Sequence, residues 1–420
     1  MTVSTPRPDG IAGVRWKIPF VVLNISCLAL FAYSWKLVSD AGHDLVYIYF
    51  QPLVPVLLML WLWGVNVGYF ETSGIKYDAL FGNEERRFLL RGDQIFELAA
   101  AATTLTSGSA AAFVMALTVQ NTKLASLIPV GLYGCLVLSA LCPFNALHKS
   151  TRLHFSSTFR RVVLPVQSVT FSDFILADIL TSLAKAFADI HRASCLMTTG
   201  DTLAGYINGT VRDPEKICSR ASWHVNLVLA LPYLFRLCQC VIVSQVTGDR
   251  NQLRNALKYS TAIPVIGLSM VKYHVSMESW TGFWWKLWIL ASVVNTLYSY
   301  YWDIEMDWDV PWFSQCGKAT GGFLKSPTLK TDAMYTASFY KWAIGSNFFM
   351  RIAWIYKLSS HLRYNKNVNF LVAVIEVCRR FQWVFIRVEC GLNKLQDSQK
   401  GHTIRGEKVY HVIEQHGSNI

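Results

Sequence analysis

Charge is scarce in this sequence. Only 16% of its 420 residues are Asp, Glu, Lys or Arg, where a soluble domain carries about a quarter. Metal-binding spacing is missing too: the ten cysteines include no C-x-x-C pair and no accompanying histidine spacing for zinc. No metal cluster and no nucleophile–base pair stands out, so the residues point away from an enzyme and ask for no cofactor or metal. There is no internal repeat. The formal charge is +12, yet the Lys and Arg residues form no basic cluster with a nucleic-acid-binding motif. That argues against nucleic acid as a partner, and positive flanks on membrane helices account better for the excess.

What is abundant is apolar. The chain is 52% hydrophobic and 14% aromatic with fifteen Trp, and its mean hydropathy is +0.29. Tryptophan at this density suits the two interfacial belts of a bilayer protein. Most cysteines fall inside apolar runs, where Cys acts as a small hydrophobe.

The first 13 residues are a short polar leader. Arg15 and Lys17 then precede an apolar run over 18–38. A secretory signal has this charge order, but its apolar core is shorter and ends at a small-residue cleavage site. An uncleaved first helix is expected instead. Further spans are expected over 51–71, 95–118 and 124–144, the third rich in small residues that let membrane helices approach closely. A charged segment, 145–170, holds Lys149, Arg152, Arg160 and Arg161. Six more spans follow at 171–191, 222–245, 259–278, 283–303, 335–360 and 368–388. The expectation is an all-α, polytopic transmembrane bundle of about ten helices. It divides into an N-terminal membrane region at 1–170, a six-helix region at 171–395, and a polar, loose cytosolic tail at 396–420.

Loop charges set the orientation. One side collects Arg7, Arg15, Lys17, Lys76, Arg86, Arg87 and Arg91, the charged segment, Arg250, Arg254 and Lys258, then Lys318, Lys325 and Lys330. The opposite loops carry fewer, so both termini are expected in the cytosol. Asn208-Gly209-Thr210 is an acceptor for N-glycosylation in the 192–221 loop, on the lumenal or external side. Cys195 and Cys218 lie in or beside that loop, placed either to pair in an oxidising compartment or to stand as two thiols.

The most informative stretch is 368–388, VNFLVAVIEVCRRFQWVFIRV. It is long enough to cross as a helix, yet Glu376, Arg379 and Arg380 sit at its centre. One arginine at mid-bilayer costs roughly 2.5–3.5 kcal/mol on insertion scales. Glu376 precedes the arginines by three and four residues and shares their face. One reading is a neutralising pair that pins helix packing. The other is an anion site within the membrane, because one carboxylate does not neutralise two guanidiniums. Other spans also carry polar residues: Asp178 in FILADILTSLAKAF, Lys258 and Tyr259 opening a helix, Asp303 and Asp307 closing an aromatic run, and Arg351 with Trp354 one turn on. Singly, each has an ordinary structural explanation, Asp303 and Asp307 as acids at the membrane interface. Together, Lys258, Arg351, Arg379 and Arg380 against Asp178, Asp307 and Glu376 outline a polar pathway with spare positive charge, and arginine forks suit tetrahedral oxyanions.

These residues sit in LAD (176–178), LPYLFRLCQC (231–240), NALKYST (255–261), YYWDIEMDW (300–308), MRIAW (350–354) and EVCRRFQWVFIRVE (376–389). In this order the motifs resemble the EXS-domain family of eukaryotic phosphate exporters and yeast endoplasmic-reticulum-retention proteins. The resemblance implies a phosphate pathway through the last six helices. It implies phosphate contacts at Asp178, Lys258, Tyr259, Asp307, Arg351, Arg379 and Arg380, a gate at Trp354 and support from Glu376. It also implies a short form without the exporters' N-terminal SPX domain, because the first helix starts near residue 18. The segment QCVIVSQVTGDR is less basic than the family's usual run there. Short members act in the Golgi, so the expected role is return of lumenal phosphate to the cytosol, with the endoplasmic reticulum or plasma membrane as alternative sites. The competing role is a non-transporting Golgi protein that retains or recycles glycosyltransferases and lumenal endoplasmic-reticulum proteins. Expected partners are inorganic phosphate and the bilayer, with Golgi recycling machinery or a second copy as further candidates.

Overall fold

The architecture comes from a computed structural model that describes residues 17–38, 40–142, 144, 148–165, 169–198, 218–219, 221–311, 333–359 and 365–417. Side chains at 40–41 and 398–417 lie outside that description, as does Asn208 with its glycosylation triplet.

Among the described residues the regular structure is helical. In chain order the helices are α1 (Lys17–Trp35), α2 (Asp40–Tyr49), α3 (Leu53–Thr72), α4 (Gly92–Thr118), α5 (Thr122–Leu141) and α6 (Lys149–Val163). Then come α7 (Phe171–Ser182), α8 (Ala184–Thr198), α9 (Trp223–Thr247), α10 (Arg250–Ser260), α11 (Ala262–Val271), α12 (Trp285–Trp302), α13 (Ala337–Arg351) and α14 (Lys366–Gly417).

Five of these, α1, α3, α4, α5 and α9, are long and apolar enough to cross a membrane as single helices. Their outward faces fit that solvent. Leu28 on α1 and Leu138 on α5 are 66% and 67% exposed, and helices apolar on all sides belong in lipid. The small residues of α4 do what their size suggests. A Cβ on Gly92 would lie 2.9 Å from Gly68 Cα, so only a glycine lets α4 start that close to α3. Glu71 accepts the Gly92 N–H at 3.1 Å, which satisfies one orphan donor of the α4 N-terminus. Asn24 holds α1 against α4 by donating to Thr104 Oγ1 (2.8 Å) and accepting from Ser107 Oγ (2.8 Å).

The second half departs from simple rods. The expected 171–191 span is two helices with a break at Leu183, whose N–H is shared between the carbonyls of Ile179 and Leu180. Thr181 Oγ1 donates back to the Asp178 carbonyl at 2.7 Å, and such back-bonding bends helices. The expected 259–278 span is likewise divided. Pro264 cannot donate to the preceding turn, so α10 ends at Ser260 and Thr261 joins it to α11. Lys258 and Tyr259 therefore close a helix rather than open one, and the ammonium sits in a last turn, where the helix dipole favours a cation. Helix α12 is flanked by two π-helical turns, Trp280–Trp284 and Asp303–Asp307. Beyond Arg351, α13 tightens into a 3-10 run, Ile352–Leu358. The charged 145–170 segment contains the amphipathic α6, whose Arg161 binds Asp173 of α7 at 2.9 Å.

Helix α14 organises the packing. It lies against α3, α7 and α13 and buries Val377, Trp383, Val384 and Ile386. Its 52 residues would span about 78 Å at 1.5 Å per residue. The tail expected to be loose is helical through Gly417. No proline follows Pro327, and Lys, Gln and Glu are frequent beyond residue 391, which favours continuation.

Cys195 and Cys218 form a disulfide, with Cα atoms 5.8 Å apart. It joins the end of α8 to the chain approaching α9, beside a core cluster of Tyr49, Phe50, Phe113 and Leu132. Maleimide labelling of the unfolded, unreduced protein is expected to miss both thiols. Reduction should add two labels, and Cys195→Ser with Cys218→Ser should remove that gain. Labelling of both without reductant would refute the pair.

Candidate anion site

The broken helices line a partly open cavity of about 250 Å³. Its lining residues run in sequence from Thr181 to Arg380. Five cations line it, Lys258, Arg351, Lys357, Arg379 and Arg380, with one carboxylate, Glu376.

Behind the lining stands Asp303, 1% exposed. Its Oδ1 accepts from Lys258 Nζ at 3.0 Å, and its Oδ2 accepts from Arg351 Nε at 2.9 Å and Asn347 Nδ2 at 3.2 Å. Arg379 lies 3.6 Å from the same Oδ2. Asp307, one π-helical turn on, takes a second bond from Lys258 Nζ at 3.2 Å and one from Trp383 Nε1 at 3.2 Å. The turn thus puts both carboxylates on one ammonium, and π-helical turns recur at functional sites.

The paired arginines of α14 split their roles. Arg379 Nε and one terminal nitrogen both reach Glu376 Oε2 at 3.0 Å. Arg380 turns to α7, donating from Nε to Ser182 Oγ at 3.1 Å and from a terminal nitrogen to Thr181 Oγ1 at 3.2 Å. Its guanidinium lies over the Trp383 ring, 4.4 Å from the centroid. Among the described residues it is the buried cation whose bonded partners are hydroxyls and not carboxylates. A guanidinium has five N–H donors, so about three of them remain for a ligand.

A second pair keeps the neighbouring wall neutral. Arg236 of α9 donates from Nε to Asp178 Oδ1 at 2.9 Å and from a terminal nitrogen to Gln239 Oε1 at 2.7 Å. Tyr259 OH donates to the same Asp178 oxygen at 2.7 Å. The Arg236 guanidinium lies 4.6 Å from the Phe174 ring centroid and 4.9 Å from that of Tyr259.

Lys258, Tyr259, Arg351, Trp354, Glu376, Arg379 and Arg380 all reach the lining. Asp178 and Asp307 stand one layer back, committed to Arg236 and Lys258. Trp354 donates from Nε1 to Thr296 Oγ1 at 2.8 Å and packs edge-on to Trp288. Two key groups escaped the sequence reading of the site. Asp303 passed as an interfacial flank, although it lies one turn from Asp307. Arg236 lay inside a quoted motif, and its signal was the one that exposed Arg379: a charge deep in an apolar helix.

The charges do not cancel. Leaving Lys357 aside, four cations, Lys258, Arg351, Arg379 and Arg380, face three carboxylates, Asp303, Asp307 and Glu376. One positive charge is left over, on residues able to present several donors to one small anion.

These features describe a helical membrane protein built around a buried, cation-rich chamber. The EXS family matches residues 46–392, and the chain belongs to that family. It is similar to "SPX and EXS domain-containing protein 1" of Dictyostelium discoideum, at 28% identity over 79% of this chain and 35% of the relative. It is similar to "Phosphate transporter PHO1-2" of Oryza sativa subsp. japonica, at 27% over 84% of this chain and 41% of the relative. It is also similar to "Protein ERD1 homolog 2" of Schizosaccharomyces pombe, at 28% over 59% of this chain and 62% of the relative. The chain spans about a third to three fifths of the length of these relatives.

Removing one partner of a buried ion pair costs about 3–5 kcal/mol, because the other charge stays buried alone. Arg236→Ala should therefore lower the thermal unfolding temperature of the detergent-purified protein sharply. Adding Asp178→Asn should recover part of the loss. Equal unfolding temperatures for wild type and Arg236→Ala would show that the pair carries no such energy.

Proposed function

We propose that the chain is an inorganic phosphate transporter, and that it returns lumenal phosphate from the Golgi to the cytosol with both termini cytosolic. The observation that carries the reading is Arg380, a buried guanidinium held by hydroxyls in a chamber with positive charge to spare. Phosphate near neutral pH carries between one and two negative charges. Moving it into a low-dielectric passage is costly unless fixed cations replace its water. Arg351, Arg379 and Arg380 present that replacement from two helices, and Lys258 adds charge from a third.

The carboxylates limit affinity. Asp303, Asp307 and Glu376 keep the empty chamber from excess charge, so a bound anion is able to leave. The reading assigns binding and passage rather than catalysis. The Oryza relative is named a phosphate transporter, which supports the choice of anion. The lining residues all lie after residue 180, which supports a pathway in the motif-bearing half with the first four membrane helices packed beside it. The disulfide supports an oxidising compartment around the α8–α9 connection, which fits a lumenal side.

Radiolabelled phosphate flux in proteoliposomes tests this, with amount and folding checked for each variant. Arg380→Lys keeps the charge but loses the fork, and should cut flux by about tenfold or more, as expected for a lost hydrogen bond to a charged group. Trp354→Ala opens the ring contact with Thr296 and should raise flux. Wild-type flux equal to that of empty liposomes, under either direction of gradient, would move the assignment to a non-transporting retention protein.

A further inference from the structure

The 3-10 run after Arg351 has a consequence for the outer part of the chamber. In a 3-10 helix residues three apart eclipse one another. Arg351, Trp354 and Lys357 therefore share one edge, and all three line the cavity. Their contacts fix the order along α12. Arg351 binds Asp303, Trp354 binds Thr296, and the Lys357 ammonium lies 5.9 Å from the Trp288 ring centroid. On α12 and its following turn, positions 303, 296 and 288 descend towards the helix start. The run thus lies antiparallel to α12, with a cation at each end and an indole between. Two 3-10 turns separate the Cα atoms of Arg351 and Lys357 by about 12 Å at 2.0 Å per residue.

One oxygen at the far end lacks a partner. Ser292, between Trp288 and Thr296 on the same α12 face, is 3% exposed and lines the cavity. Its Oγ makes no hydrogen bond. Buried hydroxyls rarely go unpaired unless something else visits them.

We propose that Lys357 and Ser292 form a second oxyanion station, on the other side of Trp354 from Arg351. The proposal rests on the phosphate reading of the cavity. An anion entering from the lumenal side is received by the ammonium and the serine hydroxyl, then passes the indole to the arginines. The single charge of Lys357 binds less rigidly than the arginine forks, which suits an entry station over a store. Two stations also allow an incoming anion to weaken the hold on the one ahead.

The test measures equilibrium binding of radiolabelled inorganic phosphate to the purified full chain, and half-saturating phosphate for flux in proteoliposomes. Wild type should bind two phosphates per chain. Lys357→Gln should bind one and raise half-saturating phosphate by about tenfold, the loss expected for one charge-assisted contact. Lys357→Arg should restore both values. Ser292→Ala, which removes one oxygen, should shift half-saturation in the same direction and serves if Lys357→Gln fails to fold. A purely structural Lys357 would change maximal flux or stability but not the number bound. Wild-type flux with unaltered stoichiometry and half-saturation in these variants would overturn the second station alone. Absence of phosphate binding by wild type would overturn it together with the transport reading.

Discussion

Everything in the second half of this molecule turns on a carboxylate that has no business in a membrane by itself. Asp303 is buried, and in hydrocarbon an isolated carboxylate would be strongly unfavourable. It is tolerable because Lys258, Arg351 and Asn347 bind it and Arg379 stands close by. The relation is mutual, since the same cations could not remain buried without it. Four separate segments, from α10, the π-helical turn, α13 and α14, are therefore fixed to one another by charge. Apolar packing around Ile304, Tyr340, Trp383 and Ile386 fills the space outside that knot.

The irregular backbone of this half follows from the same constraint. Non-helical backbone at membrane depth survives only where protein or a water-filled cavity surrounds it. The break at Leu183 frees Thr181 and Ser182 to accept from Arg380. The division at Thr261 puts Lys258 in a last turn, and the π-helical turn brings two carboxylates to that ammonium. The 3-10 run places Trp354 on the cavity edge, held by Thr296. Each of these four departures from an α-helix serves a polar contact.

Much of this was legible in the sequence. Apolar runs of about twenty residues located the five membrane-length apolar helices to within a few positions, because hydropathy is local. Intramembrane charge located Arg351, Arg379 and Arg380, because each was costly enough to need a reason. The pairings were not legible. Nothing local says that Arg380 avoids Glu376 and turns to two hydroxyls nearly two hundred residues away, or that Asp178 belongs to Arg236. Asp303 resembled an interfacial acid because its partners come from α10, α13 and α14. The helix breaks were hidden for a related reason. Thr181 and Thr261 are ordinary in a membrane helix until their tertiary partners are known.

The central claim is that the chamber holds a tetrahedral oxyanion on the cations its carboxylates leave unsatisfied. Its most direct test is an experimental structure of the protein in lipid, determined in inorganic phosphate and again in a phosphate-free buffer. The account predicts tetrahedral density within hydrogen-bond distance of Arg380 and at least one of Arg351 and Arg379, present with phosphate and lost without it. Identical chambers under the two conditions, with no anion bound to Arg380, would contradict it.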